Sequence, residues 1–232
     1  MIKDLSRWAS GRGVTPLRFV ALTGGGVAGV LLTWWFPLYI SKGLGPEEVV
    51  TVSNWEAVPA AAAVVWLIWC APQMPTWERL DPGKLRWYAA AALGLGLLIP
   101  ALVSALAWWW LNHVPSSMVP FYHRVFASDG ERLADQSGAG LALAHWITGA
   151  VALTALVGIG ICLLGKIAGV ALAAGLWISV VLVQTSLGQL LWLRAPNYQA
   201  FGSSHVVVAA TLAAFSLVAW WLTRGSKGRR WR

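Results

Sequence analysis

Apolar runs of membrane-spanning length, separated by short polar stretches, constrain this chain more than any motif. A helix rises 1.5 Å per residue, so crossing a ~30 Å hydrocarbon core takes about 20 apolar residues. The first run extends from about Leu17 to Ile40 and lacks a small-residue cleavage site, so it reads as a retained helix. The others lie near 57–71, 87–111, 139–165, 167–191 and 205–222. The second is short for a span, with Trp55 as an interfacial anchor before it. Residues 1–16 are polar and basic, with Ile2, Leu5, Trp8 and Ala9 at near-helical spacing. They fit either an amphipathic helix on the membrane surface or a basic tail.

Composition excludes the soluble alternative. Of 232 residues, 58% are hydrophobic and 11% are charged, against about 25% charge in soluble domains. A chain this short of charge cannot cover a water-facing surface. The net charge of +8 does not point to nucleic acid, because the basic residues sit at the ends of apolar runs. With the N-terminus inside, 13 of the 17 Lys and Arg fall on inner segments. The outer ones are Lys42, Arg124, Arg132 and Arg194. That asymmetry predicts a cytoplasmic location for both termini. The predicted class is all-α: a polytopic protein of six transmembrane helices in a single domain, with an amphipathic N-terminal interfacial helix.

Few residues suggest chemistry. Gly160 to Ile167 nearly matches a phosphate-binding loop, but Ile167 stands where the magnesium-binding Ser or Thr belongs, and the stretch continues an apolar helix. No nucleotide site is expected in this chain. Cys70 and Cys162 lie inside apolar runs without metal-ligand spacing. His113, His123, His145 and His205 all fall on the predicted outer side. His145 and His205 flank neighbouring spans and form the one pair placed to ligate haem or a metal, or simply to hydrogen-bond at the interface. The outer acids Asp129, Glu131 and Asp135 read as a solvated loop. Lys42 to Glu56 reads as another outer loop, which leaves no charged residue in the middle of any span. Catalysis is not expected.

Two constellations remain. Gln184, Thr185, Ser186 and Gln189 are the most polar cluster inside a run. They either line a translocation path or hydrogen-bond between helices. The stretch from Pro72 to Trp87 is the long charged inner loop, carrying Trp77, Glu78, Arg79, Asp81, Lys84 and Arg86. Asp81-Pro82-Gly83 breaks any helix there, and the charges either suit contact with a soluble partner or mark an ordinary positive-inside loop. Most of the 17 tryptophans fall near span ends as an aromatic belt and need no ligand to explain them.

The basic amphipathic start, the loop from Trp77 to Arg86, the span opening at Ser137-Gly-Ala-Gly and the polar end of the fifth run resemble the permease subunits of ABC-2-type exporters. The resemblance is to the small, Ala/Leu/Trp-rich permeases of high-GC Gram-positive bacteria. It implies a six-span permease of the bacterial cytoplasmic membrane that pairs as a homo- or heterodimer and binds separate cytoplasmic ATPase subunits. No cofactor is expected on this chain, with ATP and magnesium held by the partner. Residues 1–16 and the loop from Trp77 to Arg86 would then couple to the ATPase, and re-entrant helices would fall around Gln184 to Ser204. The outer segment 112–138 is longer than such permeases usually carry. The alternative expectation is a stand-alone membrane protein, either a haem- or quinone-linked redox subunit or an immunity-type protein.

Overall fold

A computed structural model describes residues 14–33, 38–41, 49–52, 54–72, 84–113, 139–187 and 201–225. Six helices are found among them. They are α1 (Pro16–Thr33), α2 (Asn54–Cys70), α3 (Lys84–His113), α4 (Ala139–Leu164), α5 (Lys166–Leu187) and α6 (Ser203–Thr223). Leu85–Trp110, Gly140–Leu164 and Ser203–Thr223 are long and apolar enough to cross a membrane, while the described parts of the other three helices are shorter apolar segments. Large apolar side chains face outward, among them Leu17 at 78% and Ile167 at 88% exposure. Rows of such residues belong in lipid rather than water.

Three expected boundaries move. Leu38–Ser41 is a strand, β1, and not the end of the first span. It pairs antiparallel with β2 (Val49–Val52), with Leu38 opposite Val52 and Ser41 opposite Val49. Pro37 cannot continue a helix, and the β-branched run Val49-Val50-Thr51-Val52 favours a strand. The second helix begins at Asn54, which draws Glu56 out of the expected loop into its first turn. The third begins at Lys84, so Lys84 and Arg86 belong to a helix rather than to the expected inner loop.

α4 is central, packing on α2, α3, α5 and α6, and α3 in turn contacts α1, α2, α4 and α6. Lipid chains are as apolar as leucine, so close packing and interhelical hydrogen bonds hold such a bundle together. Two buried indoles supply those bonds. Trp66 of α2 donates Nε1–H to the Ala92 carbonyl of α3 at 2.8 Å. Trp220 of α6 donates Nε1–H to the Gly158 carbonyl of α4 at 2.9 Å. Trp66 fits because Gly96 lacks a side chain: a Cβ there would lie 2.9 Å from Trp66 Cδ1. Pro100 adds local freedom to α3 by withholding an N–H from the Gly96 carbonyl.

α4 and α5 form an antiparallel hairpin that turns at Gly165, whose φ of 90° lies in the left-handed region that suits glycine. Above the turn the two backbones meet at Gly160 and Gly169. A Cβ on Gly160 would sit 2.6 Å from the Gly169 carbonyl oxygen.

Candidate functional site

The polar residues of the described bundle divide between its ends. The starts of α2, α4 and α6 and the finish of α3 share one end. There the structure buries Asn54, Glu56 and His145. Glu56 is the one acidic side chain among the described residues, and its exposure is 0%. A carboxylate inside an apolar bundle is costly to place and marks a functional site by default.

Local sequence explains how Glu56 is held. It occupies the first turn of α2, where the helix dipole favours negative charge. Its side chain reaches Gly149 of α4: a Cβ on Gly149 would lie 2.6 Å from Glu56 Oε1. With the carboxylate in this position, a side chain on residue 149 would have to displace it. His145 lies one turn before Gly149 on the same face of α4.

Tryptophans wall this site. Trp55 stacks on Trp146 with ring centroids 5.4 Å apart and planes 24° apart. It also meets Trp108 of α3 edge-on at 6.1 Å. Trp177 of α5 is buried nearby against Ala152 and Ala209, with Ala57 packed on the same cluster. One turn from Trp108 on the same face of α3, the Ser104 hydroxyl is wholly buried and meets no hydrogen-bond partner. The arrangement is a buried polar cluster walled by tryptophans at one end of the bundle.

His145 and His205 come to the same end, but as packing partners of Phe201. Its ring lies 5.9 Å from His145 and 5.9 Å from His205. His205 also caps its own helix, accepting the Gly202 N–H at Nδ1 over 3.2 Å. Among the described residues no group of three or more His, Cys, Asp or Glu side chains could hold a metal ion. Both cysteines are buried, and the Thr223 hydroxyl donates to Cys162 Sγ over 3.2 Å.

The other expected site residues are only partly in view. Trp77, Glu78, Arg79, Asp81 and Gln189 lie outside the described residues. Lys84, Gln184, Thr185 and Ser186 fall within α3 and α5 by backbone, but their side chains lie outside what is described. Arg86 is described and stacks over the Trp221 ring at the opposite end of the bundle from Glu56. Sequence reasoning missed Glu56, Asn54 and Ser104. The one local signal was an acid immediately before an apolar run, which an outer loop also produces.

No family model matches the chain, and comparisons with curated proteins and with solved structures likewise return no match.

Proposed function

We propose that the chain is the membrane subunit of a transporter: a six-span permease of an ABC-type exporter in a bacterial cytoplasmic membrane, with both termini inside. The observation that carries the transport reading is Glu56, an acid at 0% exposure in a bundle of apolar helices. An acid buried among apolar helices, one helical turn from a buried histidine along α4, suits a path for polar cargo, because intramembrane ionisable groups mark such paths. Charge placement supports the orientation. The described Lys and Arg, which are Arg18, Lys84, Arg86, Lys166 and Arg224, all fall at the end away from Glu56.

The energy source enters from the sequence resemblance. In this reading the loop through Trp77, Glu78, Arg79 and Asp81 receives an ATPase subunit that binds ATP and magnesium. A second permease chain completes the path, and Gln184, Thr185, Ser186 and Gln189 continue it. Purification of the tagged chain from native membranes in mild detergent tests this. The expected eluate contains an ATP-hydrolysing subunit, and reversing the charges of Glu78 and Arg79 removes that subunit while the permease stays monodisperse. An eluate without an ATPase, above all one with a haem absorption band, refutes the exporter reading.

A further inference from the structure

The end of the bundle opposite Glu56 holds a second polar cluster, where α3 begins after the proposed coupling loop. Arg86, in the first turn of α3, places its guanidinium carbon 5.2 Å from the centre of the Trp221 ring in the last turn of α6. Trp87, the next residue, meets the same indole edge-on at 6.0 Å. Two donors in this cluster are buried and meet no acceptor: Nε of Arg86 and Nε1 of Trp221.

That pattern contrasts with the bundle core. Trp66 and Trp220 are just as apolar in their surroundings, yet each N–H reaches a helix carbonyl. A buried donor left unmade costs free energy, so two of them side by side, with no acceptor among the described residues, suit an added ligand. Its chemistry is constrained in three ways. It accepts at least two N–H bonds, which oxyanions do well against an arginine fork. It is anionic, because the described charged side chains at this end are all basic. It is amphiphilic, because exposed apolar rows lead away from the cluster along two packed helices. These rows are Trp87, Leu95 and Leu98 on α3, and Leu222, Val218 and Phe215 on α6.

We propose that Arg86 and Trp221 bind the phosphate of an anionic glycerophospholipid, whose acyl chains lie along α3 and α6. The long Arg86 side chain swings off the indole to present Nε and its terminal nitrogens to the phosphate, as interfacial arginines do. Trp221 Nε1–H supplies a further bond to the same group. Basic pockets between helices at a membrane face are suited to such headgroups. The inference does not depend on the exporter reading.

Native mass spectrometry of the full chain, released from nanodiscs of phosphatidylglycerol or of phosphatidylcholine, tests it. Phosphatidylglycerol is expected to stay bound after phosphatidylcholine has dissociated. Arg86→Lys keeps the charge but loses the fork, and Trp221→Phe keeps the ring but loses the donor. Each should lower retained phosphatidylglycerol about tenfold, as loss of one charged hydrogen bond implies. Arg18→Gln, which removes a different cation stacked on Trp69 at the same end, should leave retention unchanged. Unchanged retention in both site variants overturns the proposal, and so does an equal loss in Arg18→Gln, which would mark diffuse attraction. Displacement of the lipid by inorganic phosphate alone overturns the amphiphile assignment. If Arg86→Lys fails to fold, Trp221→Phe decides the matter.

Discussion

Replacing Gly160 by alanine tests whether the α4–α5 backbone contact holds the bundle. The added methyl would lie 2.6 Å from the Gly169 carbonyl oxygen, where relaxed carbon–oxygen contacts run at about 3.3–3.6 Å. The two helices must part by roughly 1 Å, because the obstacle is backbone and cannot turn aside. Overpacking of this kind costs about 1–3 kcal/mol. Alanine also favours a helix over glycine by about 1 kcal/mol, which masks part of that cost. Gly175 of α5 supplies the control, since a Cβ there would meet nothing within 4 Å. Gly175→Ala therefore gains the helix preference alone. The propensity gain cancels between the two variants and leaves the overpacking cost as the difference, about 1–3 kcal/mol. Reversible unfolding in mixed micelles, followed by far-ultraviolet circular dichroism, reads it. Equal stability of Gly160→Ala and Gly175→Ala would refute the close contact.

Four further outcomes follow from the same packing. Glu56→Gln keeps the side-chain shape but removes the charge. If the chain is the exporter subunit proposed above, the variant should fold while ATP hydrolysis by the co-purified complex falls about tenfold or more, since a charged hydrogen bond contributes ~1.5–3 kcal/mol; unaltered turnover would count against a role for Glu56 in the proposed path. The Ser216 hydroxyl is buried without a partner, so Ser216→Ala should leave stability unchanged or raise it by about 1 kcal/mol, and a clear loss would reveal a bond from that hydroxyl. Trp220→Phe removes the donor to Gly158 and part of a wholly buried ring; a loss of about 1–3 kcal/mol is expected from the bond and the cavity together. Cys70 and Cys162, both buried, should resist a thiol reagent in the folded protein and react after denaturation.

Much of the helical layout was legible in the sequence because apolarity over about 20 residues has few other solutions. The runs expected at 139–165 and 205–222 appear as Ala139–Leu164 and Ser203–Thr223. The β1–β2 hairpin was not read, because Leu38 to Ile40 continue the first apolar run and hydropathy does not distinguish a strand from a helix. The signal lay in Pro37, in the Gly43, Gly45 and Pro46 punctuation and in the valine-rich stretch after it. The start of α3 was set too late because Lys84 and Arg86 were counted as loop charges. A basic residue in the first turn works against the helix dipole, yet at a membrane boundary the side chain can lie on an indole, as Arg86 does on Trp221.

The site was less legible for a reason that Glu56 makes concrete. Its own neighbourhood, Asn54-Trp55-Glu56 before an alanine-rich run, reads as a loop acid at a span edge. Its burial is decided far along the chain, at Gly149, where the missing side chain opens space for a carboxylate on the next helix. Nothing in the period of α4 separates that glycine from Gly158, which accommodates Ser216 and Trp220 instead. One residue type thus admits a charged group in one place and a packing contact in the other. The difference lies entirely in which helix faces it. A membrane bundle brings distant residues together through such small-residue gaps, and the contact of Glu56 with Gly149, one turn from His145, emerges when α2 is paired with α4.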